Sequence, residues 1–247
     1  QMEMQFFVPP GTELDFYENW KQKRLNWHLA LGLGQENYRF HDHEKLAHYA
    51  NAAADIEFKF PFGFKELEGI HSRTDFDLGA HEKYSGRKLQ YFDPERNETY
   101  VPYVVETSIG LDRMFLALFS HCLKNEVLED GSERVVLALP PALAPVKAAI
   151  LPLVKKDGLP EFAEKIFNDL KYDFNIISEE KDSIGKRYRR QDAIGTPFCI
   201  TVDHDSLADG TVTLRERDTM KQERVKIEDL RKIIDDKVNF RTLLSKI

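Results

Sequence analysis

The chain has 247 residues, 42% apolar and 31% charged, with 35 Lys and Arg against 42 Asp and Glu for a net charge of −7. That length holds one large domain or two modest ones with a real core. It offers no run of roughly 20 apolar residues to cross a bilayer and no basic-then-apolar leader. Cys122 and Cys199 stand far apart without CxxC spacing. A disulfide scaffold and a Cys-rich zinc site are therefore excluded, and a cytoplasmic setting without a membrane partner is expected.

In chain order, Met4 to Val8 reads as a strand stopped by Pro9-Pro10-Gly11. Thr12 with Asp15 suggests an N-cap for a helix reaching about Leu29. A second helix is predicted from about Glu44 to Asp55, with Leu46, Tyr49, Ala50 and Ala53 at helical spacing. Alternation then predicts strands at Ile56–Phe60, Leu67–Ile70, Leu89–Phe92 and Thr99–Val105. A helix from about Arg113 to Lys124 should turn Leu116, Phe119 and Leu123 inward. Neighbouring strands with helices set apart suggest an antiparallel α+β domain.

A boundary is expected in the polar stretch Glu126–Arg134, dividing the chain into domains 1–133 and 134–247. Charge changes there too. Residues 1–133 carry 14 Lys and Arg against 23 Asp and Glu, a balance of −9, and the remainder carries 21 against 19, a balance of +2. Overall acidity, which argues against nucleic acid, thus averages two unlike parts. The second part alternates. Strands are predicted at Val135–Leu139, Ile150–Val154, Phe174–Ile177, Phe198–Val202 and Thr211–Arg215. Helices are predicted at Ala144–Ala149, Pro160–Leu170, Ser183–Asp192 and Ile227–Val238. That rhythm reads as α/β around a mostly parallel or mixed sheet.

Gly32-Leu33-Gly34 lacks the third glycine and the strand-then-helix setting of a dinucleotide loop. His41, His43 and His48 have no further ligand at zinc-site spacing, so structural or solvated histidines are expected and no metal site is assigned. Carboxylates are more telling. Glu3, Glu57, Glu66, Glu68 and Glu106 fall on predicted strands, and alternation would put Glu66 and Glu68 on one face. A carboxylate cluster calls for a cation, either an ammonium substrate or Mg²⁺; one solvated sheet face is the plainer explanation. Arg113, opening an amphipathic helix, suits either an anion or an ordinary ion pair.

The segment Glu106-Thr107-Ser108-Ile109-Gly110-Leu111-Asp112-Arg113 resembles the third signature of the class II aminoacyl-tRNA synthetases, in the form of the glycyl-tRNA synthetases. Gln1-Met2-Glu3-Met4-Gln5-Phe6-Phe7, Lys65-Glu66-Leu67-Glu68-Gly69-Ile70 and Ser72-Arg73-Thr74-Asp75-Phe76-Asp77-Leu78 agree with that family. Further on, Leu143-Ala144-Pro145-Val146-Lys147, Gly185-Lys186-Arg187-Tyr188-Arg189-Arg190, Gly195-Thr196-Pro197-Phe198 and Arg215-Glu216-Arg217-Asp218-Thr219-Met220 resemble its anticodon-binding domain.

The resemblance implies part of a class II antiparallel-sheet catalytic domain followed by an α/β anticodon-binding domain. It implies a glycine–tRNA ligase using ATP with Mg²⁺, acting on glycine and tRNA-Gly, homodimeric as the full-length parent. Glycine would meet Gln1, Met2, Glu3, Arg73, Glu106, Thr107, Ser108, Ile109 and Gly110. ATP would meet Glu66, Leu67, Gly110, Leu111, Asp112 and Arg113, with Arg113 and Glu106 as the catalytic pair. Lys186, Arg187, Tyr188, Arg189 and Arg190 would supply charge and a stacking face for anticodon bases. The family's first signature and the arginine-bearing second would precede Gln1. The chain is accordingly expected to be a C-terminal piece, unable alone to form glycyl-adenylate, with an open sheet edge and exposed apolar surface. The rival expectation is a non-enzymatic nucleic-acid-binding relative, as some polymerase accessory subunits resemble.

Overall fold

A computed structural model describes residues 1–245; the last two residues of the expected second domain lie outside them. The chain forms two compact units, Gln1–Ser120 and the residues from His121 onward. The division falls before the expected 133/134, because the polar stretch around Asp130 is the turn of a hairpin inside the second unit.

In the first unit the chain forms β1 (Met2–Val8), α1 (Glu13–Ala30), β2 (Tyr38–Asp42), β3 (Ala52–Phe60), β4 (Gly63–Ser72), α2 (Phe76–Ser85), β5 (Tyr91–Asp93), β6 (Glu98–Tyr100), β7 (Tyr103–Ile109) and α3 (Leu111–Cys122). Five strands make an antiparallel sheet in the order β1-β7-β4-β3-β2. One face of it lies on α1, where Phe6 of β1 meets Phe16 and Trp20. The other face carries the candidate site.

Several expectations change here. Residues 44–51 are turns and bends, and Ala52–Phe60 is one long strand. Ala52, Ala53 and Ala54, of which Ala53 belonged to the expected helical stripe, are held by pairing with β4, and tertiary context overrides helix propensity there. Thr12 makes no side-chain cap; its hydroxyl donates to Pro9 O at 2.7 Å, and Glu13 accepts from Gly11 N at 2.7 Å. On α3 the buried side chains are Met114, Ala117 and Cys122, while Leu116 and Phe119 remain 38% and 40% exposed; Leu123 lies past the helix end and is 43% exposed. The larger apolar stripe faces out and the smaller one in. α2 was not expected from the sequence.

The second unit contains β8 (Leu123–Val127), β9 (Glu133–Leu137), β10 (Ala148–Pro152), α4 (Leu159–Leu170), β11 (Ile176–Ser178), α5 (Ile184–Ile194), β12 (Phe198–Val202), α6 (His204–Asp209), β13 (Thr211–Glu216), β14 (Gln222–Lys226), α7 (Leu230–Val238) and α8 (Phe240–Leu244). Its main sheet runs β11-β10-β12-β13-β14, parallel as far as β12 and antiparallel beyond. The α+β then α/β organisation is as expected. No helix forms at Ala144–Ala149; a short 3-10 turn at Pro141–Leu143 leads into β10, whose five residues are all buried. Ile150, Ile200, Leu159, Ile166, Leu214 and Ile234 share the core.

A polar hub is built into this unit. Asp192, fully buried, accepts from both Nη atoms of Arg215 at 2.8 and 3.0 Å and from Arg134 at 3.2 Å. Arg217 donates to Leu139 O at 2.6 Å and Gly195 O at 2.7 Å. Gly195 is at φ +86°, and a Cβ there would stand 3.0 Å from Leu137 O, so only glycine closes α5 this way. Cys122 and Cys199 are free and buried; burial pushes the Cys199 thiol up to about 12 and raises that of Cys122.

Candidate functional site

Strand alternation builds the site. Glu3 pairs with Ser108 and Gln5 with Glu106 across β1 and β7, and Glu106 pairs with His71 across β7 and β4. These side chains therefore share one face. They line a pocket of about 550 Å³ with Gln1, Glu66, Arg73 and Asp77. Gln1 donates to the Ser108 hydroxyl at 3.0 Å. The Glu106 carboxylate accepts from Arg73 at 3.2 Å and, closely, from Gln5. Arg73 also donates to Asp77 at 2.9 Å and lies 4.3 Å over the Tyr49 ring. Thr74, at φ +56°, turns the chain from β4 towards α2 so that Asp77 comes back to Arg73. A β-branched residue there is strained.

Glu66 and Glu68 do not share a face. Ile56 pairs with Glu68 but Glu57 pairs with Glu66, so Leu67 is an extra residue, a β-bulge. The bulge turns Glu66 to the pocket and leaves Glu68 beneath the sheet. There the fully buried Glu68 accepts from Arg24 at 2.5 Å and bonds His28 at 2.7 Å. Burial pushes its carboxyl up, but the bonds from His28 and Arg24 outweigh this and hold it below the ordinary value. On the pocket face Glu66 is exposed and pairs with Arg113 at 3.2 Å, while Arg113 also donates to Glu66 O at 2.7 Å. Glu57, opposite Glu66, is held by Arg39 at 2.5 Å.

Of the residues expected at glycine, the structure brings together Gln1, Glu3, Arg73, Glu106 and Ser108. Met2, Thr107 and Ile109 point to the other face by alternation, and Thr107 and Ile109 are buried there. Of those expected at ATP, Glu66 and Arg113 line a second recess with Phe60 and Phe62. Leu67 is 1% exposed on the opposite face, which removes its side chain from any ligand there. Gly110 precedes α3, and Leu111 and Asp112 are exposed in its first turn. Gln5, His71 and Asp77 were missed by sequence reasoning; parity carries the signal for the first two, since 1, 3 and 5 share a face along β1 as do 69 and 71 along β4, whereas Asp77 lies on α2.

In the second unit the basic run on α5 divides. Arg187 is 2% exposed and donates to the carbonyls of Pro152, Glu179 and Leu153 at 2.7–3.2 Å. Arg190 is paired with Glu179 and Asp182. Arg187 is therefore buried within the unit and away from any ligand surface, whereas the Arg190 side chain stays 41% exposed beside its two carboxylates. Lys186, Tyr188 and Arg189 line a recess of about 350 Å³ with Arg215, Met220 and Gln222, and Arg215 lies 4.8 Å over the Tyr188 ring. Among the described residues, no group of three or more His, Cys, Asp or Glu stands where it could hold a metal. His43 instead bonds Asp55 at 3.0 Å, and His48 packs edge-on against Phe76.

Residues 147–237 match the anticodon binding domain family. A glycine–tRNA ligase of Chlorobaculum tepidum is 56% identical over 226 residues, covering 91% of this chain and 48% of that protein. Those of Borrelia hermsii and Clostridium perfringens are 54% and 52% identical, covering 93% and 97% of this chain and 53% and 52% of theirs. Over nearly its whole length the chain is thus similar to glycine–tRNA ligases. It spans about half the length of these curated relatives, and the half includes the anticodon binding domain.

Proposed function

We propose that the chain supplies the glycine pocket, part of the ATP site and the anticodon contacts of a glycine–tRNA ligase. One observation carries this reading. The pocket gathers the carboxylates of Glu3, Asp77 and Glu106 around one guanidinium, that of Arg73, while Glu66 in the same lining is paired with Arg113. That excess of negative charge recruits a small cation, and the Glu3 carboxylate has no hydrogen-bond or ion-pair partner among the described residues. An α-ammonium would sit between Glu3 and Glu106, with the Ser108 hydroxyl near the substrate carboxylate. Preference for glycine over alanine must come from a wall that a methyl would strike, since attraction cannot favour the smaller ligand.

In the reaction, a glycine carboxylate oxygen bonds to the α-phosphorus of ATP and the bond to the β-phosphate oxygen breaks, releasing pyrophosphate. A hydroxyl of the 3′-terminal ribose of tRNA-Gly then bonds to the glycyl carbonyl carbon, and the bond to the phosphate oxygen breaks, releasing AMP. No protein nucleophile takes part; the chain's residues orient the carboxylate and offset charge. Arg113, half exposed and tied to Glu66 only at the surface, is free to exchange that partner for the triphosphate. Mg²⁺ would arrive on the nucleotide, supplying charge neutralisation, since magnesium in such sites keeps water and substrate oxygens as ligands. Lys186 and Arg189 would meet the tRNA backbone and Tyr188 a base. The two buried thiols suit a reducing cytosol.

Glycine titrated into the ¹⁵N-labelled chain is expected to shift the amides of Glu3, Arg73, Glu106 and Ser108. Glu106→Gln should weaken that binding by about tenfold or more. A spectrum unmoved by glycine would remove the pocket assignment.

A further inference from the structure

His71 stands beside Glu106 as its register partner on the pocket face. Its ring lies over Gly69, where a Cβ would approach Cε1 to 2.7 Å. The adjacent glycine thus makes room for an imidazole at this spot. Nδ1 is 3.8 Å from Glu106 Oε1, within a small rotation of hydrogen-bond reach, and is buried without a hydrogen-bond partner. Behind it the His43 ring lies 6.2 Å away, itself bonded to Asp55.

The charged groups facing the imidazole come from four places. Glu106 is on β7, Asp55 on β3, Arg73 just past the end of its own strand β4, and His43 just past the end of β2. Asp77 and His81 of α2 and Glu3 of β1 line the same pocket. Burial holds His71 below the ordinary histidine value, outweighing the pull of Glu106 and Asp55 upward. At neutral pH the ring is therefore uncharged and adds no second cation beside the Glu106–Arg73 pair.

We propose that His71 is a positioning residue for the substrate ammonium. Uncharged, its Nδ1–H steadies the Glu106 carboxylate; once protonated, it competes with the ammonium for that carboxylate. The proposal rests on the reading of this pocket as the glycine site. By linkage, a bound ammonium must then disfavour the imidazolium, and acid must weaken glycine.

The test uses the 247-residue chain, with glycine as probe and amide and imidazole NMR as readouts. Glycine should lower the titration midpoint of the His71 ring. Its affinity should fall several-fold, at most about tenfold per pH unit, between about pH 7.5 and about pH 5.5. His71→Asn keeps a neutral donor and should lose that pH dependence beyond what other groups impose. If glycine moves the amides of Glu106 and Ser108 but leaves the His71 midpoint unchanged, the proposal is overturned and the pocket reading stands. An equal pH dependence in wild type and His71→Asn has the same meaning. If no pocket amide responds to glycine, the pocket reading fails and this proposal with it. The wild-type ring titration decides the matter even if the variant does not fold.

Discussion

Glu68 shows how much one carboxylate can be asked to do. It has no exposed surface, yet it stays charged because Arg24 and His28 of α1 both reach it beneath the sheet. Its folded value lies below the unfolded one, so its stabilisation is complete above about pH 4.5 and is lost as pH falls through the folded value. Glu68→Gln is expected to cost about 3 kcal/mol at neutral pH, measured by urea unfolding, and the difference should shrink in acid. On α5 the same kind of accounting separates neighbours. Arg187→Ala should lower stability by about 3 kcal/mol, since three carbonyls lose their donor. Lys186→Ala with Arg189→Ala should leave stability within about 0.5 kcal/mol. The same pair should weaken tRNA binding, with a salt slope smaller by about 2. An unchanged tRNA affinity across salt would remove the recess from the interface.

Among the elements, the bulged strand β4 decides which face each acid occupies, and the helix α3 decides what the surface looks like. α3 leaves Leu111 60% and Phe115 65% exposed, with Phe115 and Phe119 stacked 5.7 Å apart, and β1 is an edge strand of its sheet among the described residues. Concentration-dependent self-association is expected, visible by analytical ultracentrifugation, and Phe115→Ser with Phe119→Ser should reduce it without loss of fold. Most strands and the two architectures could be read from alternation and from turn residues such as Pro61-Phe62-Gly63. What could not be read has identifiable causes. Ala52, Ala53 and Ala54 suit a helix as well as a strand, and only pairing with β4 decides. A bulge changes parity without marking the sequence, which is why Glu66 and Glu68 were expected on one face. The burial of Arg187 depends on carbonyls 35 residues away, beyond any local pattern.

For the molecule as a whole, each unit has its own means of staying folded. The second has a continuous apolar core on its mixed sheet and the Asp192 hub beside it. Residues 121–245 expressed alone are therefore expected to fold, giving a dispersed amide spectrum and a cooperative thermal transition. A chain with two thiols at 2% and 1% exposure is, in practice, chemically silent towards alkylating reagents. The thiolate is the reactive form, and burial suppresses it at both positions. A cysteine placed at a chosen surface position should then take a maleimide fluorophore alone, with no need to remove the native ones. The protein comes ready for single-site optical reporting on either of its ligand recesses.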